Sequence, residues 1–305
     1  MTNKKTKFLF NFDKQSKIGL AFILPALVYM IIMVGYPIVY NWVLSFQDVS
    51  AFNMAQGARR PFIGLGNYRT IFSNDVLPIA LKNTFIYTIV SLFFQFVFGM
   101  LLALLLNKKF FLSKTLRGLL VISWVMPTTV VALLFKYMLS PDAGIVDSFL
   151  TMIGIIKEPV GWLLKEKTAI WGPIFANIWT GIPFNMLILS TGLSGISEEV
   201  YESAGIDGAN ALQRFFKITL PLLRPAIMSV LILGFVYTFK VFEHIFVMTA
   251  GGPVNATEVM ATFSYKLSFR NYYFGQGAAV ANVLFLILFC VALIYLRLIR
   301  KEESM

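Results

Sequence analysis

Six runs of apolar residues, each long enough to cross a lipid bilayer, leave this chain few ways to fold. A transmembrane helix needs about 20 mostly apolar residues, each advancing about 1.5 Å. Stretches 18–46, 81–106, 116–139, 168–193, 225–247 and 277–296 meet that length. None alternates with period two over segments of about ten, so a β-barrel is not expected. The 305 residues are 58% hydrophobic and 13% charged, more apolar surface than the core of a soluble domain can use. The chain reads as an all-α integral membrane protein forming a single transmembrane domain over 1–305.

A net charge of +11 could suggest nucleic acid, but the basic residues cluster at the ends of the apolar runs. That is the pattern of membrane topology, and no nucleic-acid partner is expected. With both termini on the cytoplasmic side, the inside segments hold 15 Lys and Arg against 8 outside. The inside set is Lys4, Lys5, Lys7, Lys14, Lys17, Lys108, Lys109, Lys114, Arg117, Arg214, Lys217, Arg224, Arg297, Arg300 and Lys301. The outside set is Arg59, Arg60, Arg69, Lys157, Lys165, Lys167, Lys266 and Arg270. This bias favours both termini inside and puts the connection between the fourth and fifth spans in the cytoplasm.

The amino end does not read as a cleaved signal, because the polar stretch 1–17 runs into an apolar segment longer than the roughly 7–15 residues of a signal core. Phe8, Phe10 and Phe12 among lysines fit either a surface-lying segment or a disordered tail. One cysteine, Cys290, and one histidine, His244, exclude an intramolecular disulfide and an ordinary Cys/His metal site. The outer connections, about 47–80, 140–167 and 248–276, look ordered. Trp42, Trp162 and Trp171 fall near their membrane boundaries, where indole rings settle. Asn255-Ala256-Thr257 matches a glycosylation sequon and is read as coincidence.

The connection 195–225 is long enough for two short helices. Ser197 is a helix N-cap candidate, and Glu198, Glu199 and Glu202 place negative charge in the first turns. Gly205 and Gly208 allow a sharp turn, Asn210 can cap a second helix, and Pro221 and Pro225 break the chain before span five. The product is a hairpin against the membrane. Its apolar residues Val200, Tyr201, Phe215, Phe216 and Ile218 must meet lipid, the spans or a partner's groove.

The run Glu202-Ser203-Ala204-x-x-x-Gly208, followed after nine residues by Ile218-x-Leu220-Pro221, resembles the EAA loop of ABC importer permeases. Ser203 replaces that motif's first alanine. Val200-Tyr201-Glu202, Ile206-Asp207-Gly208-Ala209 and Leu220-Pro221-Leu222-Leu223-Arg224-Pro225 are similar to the carbohydrate importers of the maltose and glycerol-phosphate type. So are Phe62-Ile63-Gly64-Leu65-Gly66-Asn67-Tyr68, Lys82-Asn83-Thr84, Phe239-Lys240-Val241-Phe242-Glu243 and Thr249-Ala250-Gly251-Gly252-Pro253. The likeness covers about 20–296. It implies the six-helix type I importer permease fold in a bacterial cytoplasmic membrane, multi-pass, with both termini cytoplasmic.

The same resemblance implies a mechanism and partners. The chain forms a translocation path for a sugar or oligosaccharide with a second, homologous permease subunit. An extracellular substrate-binding protein delivers the sugar, and a cytoplasmic ATPase dimer docks on the 195–225 loop. Glu202, Ser203, Ala204, Gly208, Ile218, Leu220 and Pro221 form the coupling element, with Glu202 in polar contact with the ATPase and Gly208 allowing the bend. The sequence has no Gly-x-x-x-x-Gly-Lys-Ser/Thr phosphate loop, so ATP belongs to the separate ATPase. No cofactor, metal ion or catalytic set is expected on this chain, which reads as a transport subunit and not an enzyme.

Polar groups at membrane depth cost roughly 2.5–3.5 kcal/mol for a central Lys or Asp, so they turn towards the bundle or a wet cavity. Trp124 and Thr128, flanking Pro127, join Asn177, Trp179 and Gly181 in span four and Gly234, Tyr237 and Thr238 in span five as candidates to line a sugar path. An indole stacks on the apolar face of a sugar while amides and hydroxyls bond its hydroxyl groups. These positions resemble sugar-contacting stretches of the maltose-type permeases, with different identities. Interhelical packing is the alternative at each. Gln95, Asn185 and Asn282 are weaker candidates. Lys240 and Glu243 fall three residues apart on one expected helix face, either as a mutual ion pair or as part of the cavity mouth. The family carries such a pair whatever its sugar, so it does not indicate an anionic substrate. His244 reads as a packed or snorkelling side chain, and Lys136 is assigned no role.

Two other classes compete. A self-sufficient secondary sugar transporter calls for inverted repeats or intramembrane acid and histidine relays, of which Lys240, Glu243 and His244 are the one hint. A membrane enzyme calls for paired acids, an activated nucleophile or a metal cluster, and the sequence offers none.

Overall fold

A computed structural model describes residues 14–55, 60–108, 110–142 and 144–303. Lys4, Lys5, Lys7, Phe8, Phe10, Phe12, Arg59 and Lys109 lie outside these residues, as do the side chains of Lys14, Lys17, Arg300 and Lys301. The described chain is helical, and its strand-like pairing is confined to the isolated bridge between Gln47 and Phe62.

The first span is α1 (Ile18–Ser45), interrupted by a π-helical stretch at Ile31–Gly35. A short α2 (Gly66–Phe72) leads into α3 (Val76–Leu106), the second span. Next come α4 (Ser113–Val125) and α5 (Thr128–Met138). The connection after them holds α6 (Ile145–Met152), and α7 (Trp171–Ser194) is the fourth span in the expected order and the third straight one. The 195–225 loop contains α8 (Glu198–Ile206) and α9 (Ala211–Leu222). The chain then passes through α10 (Arg224–Phe239), α11 (Glu243–Met248) and α12 (Met260–Tyr265) to α13 (Phe274–Glu303), whose Phe274–Arg297 portion is the last span.

Four of the six expected spans are therefore straight helices long and apolar enough to cross a bilayer, and two are not. The third, expected to run unbroken over 116–139, bends by 93° between α4 and α5. Pro127 is the cause: its ring pushes the preceding residue out of the helical region, and Met126 has ψ 138°. The fifth, expected over 225–247, ends at Phe239 and restarts at Glu243, and a 66° bend at Leu223 separates it from α9. Lys240 is thus the C-cap of α10 while Glu243 opens α11, so they do not share a helix face.

Helix α3 lies side by side and parallel with α7. Tyr87 Oη donates to Pro173 O at 3.3 Å, Gln95 Nε2 donates to Asn177 O at 2.8 Å, and a Cβ at Gly99 would sit 2.5 Å from Asn185 Cβ. Association in a bilayer rests on such close approach of small residues and on interhelical hydrogen bonds. Gly234 plays the same part where α10 meets α3, since a Cβ there would lie 2.5 Å from Leu92 Cδ1. Towards the 195–225 loop, a core of Met100, Ala103, Met186, Leu189, Leu193, Leu223 and Val230 joins α3, α7 and α10.

On the opposite side, the loop motifs acquire physical reasons. Asn67 Nδ2 donates to Ser45 O and Gln47 O, both at 2.9 Å, and ties α2 to the end of α1. Asn83 Nδ2 donates to Ala256 O and Glu258 O at 3.0 Å. The Glu258 carboxylate is wholly buried and takes the Lys266 ammonium, and Gly251, at φ +84°, leaves it room that any side chain would fill. Trp42 and Trp171 stand in the end turns of α1 and α7, as boundary tryptophans should.

Candidate functional site

Both breaks in the helices open onto one place. A cavity of about 370 Å³ lies between α3, the α4–α5 bend, α7 and α10, and a second of about 380 Å³ adjoins it at the α10–α11 break. Thr128, Asn177, Tyr237 and His244 line both. Irregular backbone at membrane depth is tolerated where it faces such a cavity.

Helical spacing decides which α7 residues reach it. Asn177, Gly181 and Phe184, separated by four and three positions, fall on one face and line the first cavity. Trp179 is two positions from Asn177, on the far side of the helix, where its ring packs 6.0 Å from Phe135. It lines neither cavity, so the structure separates it from the other sequence-predicted path residues. Trp124, Thr128, Gly234, Tyr237 and Thr238 do converge on the first, and Lys240 and Glu243 on the second.

Aromatic rings form one wall. Trp124 lies 5.6 Å from Phe184, whose ring meets Tyr237 edge-on at 6.3 Å. Phe184 was legible only through the period of α7, and Thr180 and Met126, which also line the cavity, through their nearness to Asn177 and Pro127. Gly181 serves packing as well as lining, because a Cβ there would overlap the Gln95 carboxamide.

The opposite wall is polar, and part of its capacity is spent on the backbone. Pro183 has no N–H to give within α7. Around it, Gln95 bonds Asn177 O, Asn185 Nδ2 donates to Gly181 O at 2.8 Å and Thr180 Oγ1 donates to Ala176 O at 2.6 Å. Three residues of this lining each hold back one group: Asn177 Nδ2, Asn185 Oδ1 and His244 Nε2 are buried with no hydrogen-bond partner among the described residues. Leaving such a group unpaired costs about 1–3 kcal/mol. His244, only 4% exposed, is thus a cavity residue and not a snorkelling one.

Lys240 and Glu243 form no ion pair. The Lys240 ammonium lies 5.3 Å over the Tyr237 ring, and both charges are exposed at the mouth of the second cavity. Among the described residues, no Asp, Glu, Lys or Arg lines the first cavity. Of the weaker candidates, Gln95 and Asn185 line it, whereas Asn282 takes the Asn41 amide at 2.7 Å and donates to Tyr68 Oη, a bond between α13 and α1. Lys136 Nζ bonds Val247 O at 3.1 Å and holds α5 to α11.

The 195–225 loop is built quite differently. Ser197 Oγ accepts from Glu199 N at 3.2 Å, and Asn210 and Gln213 close a reciprocal capping box with two bonds of 2.9 Å. Between them Gly208 turns the chain at φ +78°, while Gly205 stays in the ordinary region. Tyr201 Oη and Thr219 Oγ1, 3.0 Å apart, tie the two arms. Ala204 and Leu223 are buried and Leu220 packs on the α3–α7–α10 core. Glu202, Ser203, Gly208 and Pro221 are exposed, and Ile218 is half-buried. Beside them stand three bare apolar side chains: Ile206 is 88% exposed, Leu212 69% and Phe216 60%.

Residues 95–301 match the family model described as binding-protein-dependent transport system inner membrane component. A probable ABC transporter permease protein, YurN, of Bacillus subtilis is 32% identical, with 92% of this chain and 96% of the relative aligned. The trehalose/maltose transport system permease protein MalF of Thermococcus litoralis is 30% identical over 95% of this chain and 96% of its own length. Among solved structures, a bacterial alginate ABC transporter, crystallised with its alginate pentasaccharide-bound periplasmic protein, contains a chain of the same fold. Its TM-score is 0.80 at 24% identity, and the match covers 95% of this chain and 96% of that one. The chain belongs to the binding-protein-dependent transport system inner membrane component family. It is a multi-pass permease subunit of the cytoplasmic membrane, and a self-sufficient secondary transporter finds no support.

Proposed function

We propose that this chain is the membrane subunit of an ATP-driven carbohydrate importer and that its sugar path runs through the two adjoining cavities. The observation that carries the reading is that Asn177, Asn185 and His244, each with a buried polar atom that has no partner among the described residues, line one cavity with the Trp124–Phe184–Tyr237 wall. A sugar ring needs both surfaces: an aromatic face for its C–H side and donors and acceptors for its hydroxyls. Thr128, Gly181, Gly234 and Thr238 complete the lining, and Lys240 and Glu243 flank the second cavity with one charge of each sign.

In this reading a second, homologous permease completes the path, and a periplasmic or extracellular binding protein supplies the sugar. A separate ATPase dimer, which binds the ATP, docks on the 195–225 loop. Glu202 and Ser203 offer polar contacts there, and Ile206, Leu212 and Phe216 fill an apolar cleft on the partner. Gly208 sets the turn, Ala204 and Leu220 fix the loop to the bundle, and Ile218 and Pro221 complete the coupling element. With Arg214, Lys217 and Arg224 beside it, the loop lies on the cytoplasmic face and both termini follow.

The test is uptake by the whole transporter reconstituted in vesicles with its binding protein. Tyr237→Ala should lower sugar uptake while ATPase assembly persists, and Trp179→Ala, outside the cavity, should leave uptake near wild type. Equal losses for both, or none for Tyr237→Ala, would remove the path from this cavity.

A further inference from the structure

The connection between α5 and α7, opposite the 195–225 loop, contains a helix that is apolar on the outside. Its exposed arc carries Ile145, Phe149 and Met152, at spacings of four and three, with exposures of 61%, 54% and 76%. Ile153 and Ile155 extend the stripe past its end. Its only charged residue, Asp147, is turned inward and buried, accepting from Val160 N at 3.0 Å and from the Trp162 indole at 2.5 Å. The hydroxyls at the edge of the arc, Ser148 and Thr151, are spent on the helix's own carbonyls, Gly144 O and Asp147 O. At its end, Gly154 at φ +75° lets the N–H groups of Gly154 and Ile155 cap the last carbonyls. A helix in water has the reverse arrangement.

Beneath it is a slot of about 220 Å³ walled by Phe135 and Met138 of α5, Val146 and Leu150 of α6, Trp162, and Phe175 of α7. The Trp162 N–H is already taken by Asp147, so no free donor or acceptor side chain faces the slot. Phe135 lies in the last turn of α5 and Phe175 in the second turn of α7, so the slot sits among the helices of the apolar bundle. Lys157, Glu158, Lys165, Glu166 and Lys167 follow the apolar stripe, charged side chains of both signs that suit a headgroup layer.

We propose that residues 145–155 lie in the bilayer interface opposite the 195–225 loop and that the slot beneath them takes a lipid acyl chain. This part of the outer connection is therefore a lipid-binding element and not a docking face for a soluble binding protein.

The experiment uses the assembled transporter in vesicles, with a small environment-sensitive fluorophore on single cysteines in a Cys290→Ser background. Labels at Phe149→Cys and Met152→Cys should lose fluorescence to lipids brominated on the acyl chain and resist aqueous iodide, and a label at Lys157→Cys should do the opposite. Quenching of the first two by iodide would put them in water and overturn the proposal. Protection from both quenchers would put them against protein and overturn it equally. Leu150→Trp, which fills the slot, should reduce the phospholipid retained by the detergent-purified complex; unchanged retention would leave the slot without its acyl chain.

Discussion

The 195–225 loop and the membrane cavity use polar residues in opposite ways. In the loop every capping side chain has its partner: Ser197 with Glu199 N, Asn210 with Gln213, Tyr201 with Thr219. What the loop leaves unsatisfied is apolar, the exposed Ile206, Leu212 and Phe216. In the cavity the unsatisfied groups are polar, on Asn177, Asn185 and His244, beside an aromatic wall left partly open, with Trp124 48% and Tyr237 61% exposed. Each region withholds the interaction its proposed partner supplies, a protein cleft for the loop and a hydroxylated ligand for the cavity. A region's unsatisfied groups, more than its bonded ones, indicate what it meets.

Mutations can break this contrast at several strengths. The largest expected effect is from Glu202→Lys, which places a cation where the proposed ATPase contact needs an acceptor. Truncating or reversing a paired interfacial charge costs about 2–5 kcal/mol, so uptake and ATPase co-purification should both fall at least tenfold. Normal co-purification would remove Glu202 from that interface. The sharpest test is Asn177→Ala. Deleting one unpaired buried amide relieves a penalty of about 1–3 kcal/mol, so thermal stability should hold or rise while sugar uptake falls. Lower stability together with normal uptake would make Asn177 a packing residue.

Smaller effects belong to the loop's internal frame. Gly208→Ala meets no neighbouring atom within 4 Å, so its cost is the left-handed backbone alone, about 1–2 kcal/mol. Asn210→Ala removes half of the capping box and should cost about 0.5–2 kcal/mol, read as a lowered unfolding temperature of the purified complex. The smallest effect is predicted for Glu243→Gln. Because Lys240 sits over Tyr237 and not on Glu243, stability should change by less than about 0.5 kcal/mol. A larger loss would restore the ion pair.

Local chemistry explains what was legible in the sequence. Ser197 and Asn210 are caps because short polar side chains reach the free N–H groups of a first turn, and that depends on a few neighbouring residues. Four straight spans follow from apolar length. Pro127 announced a perturbation, yet a 93° bend depends on what the freed backbone can face, and only the assembled cavity provides that. Nothing local marked the break at 240–242, which contains no proline, so Lys240 and Glu243 were placed on one helix and are not. Trp179 was grouped with the cavity residues because an indole at membrane depth invites a ligand, whereas helical phase turns it to Phe135. His244 was undervalued for the converse reason: its exposure is set by α11, a helix that an unbroken fifth span would not contain.

The two ends of α7 do different work. Asn177, Gly181, Phe184 and Asn185 lie beside the cavity; beyond them Met186, Leu189 and Leu193 share a core with Leu223 at the elbow of the loop. One helix thus serves two masters through different halves. Substitutions that retune the cavity wall for another ligand need not disturb the surfaces that receive force, and the reverse. Such separability lets a lineage change its cargo while keeping its engine.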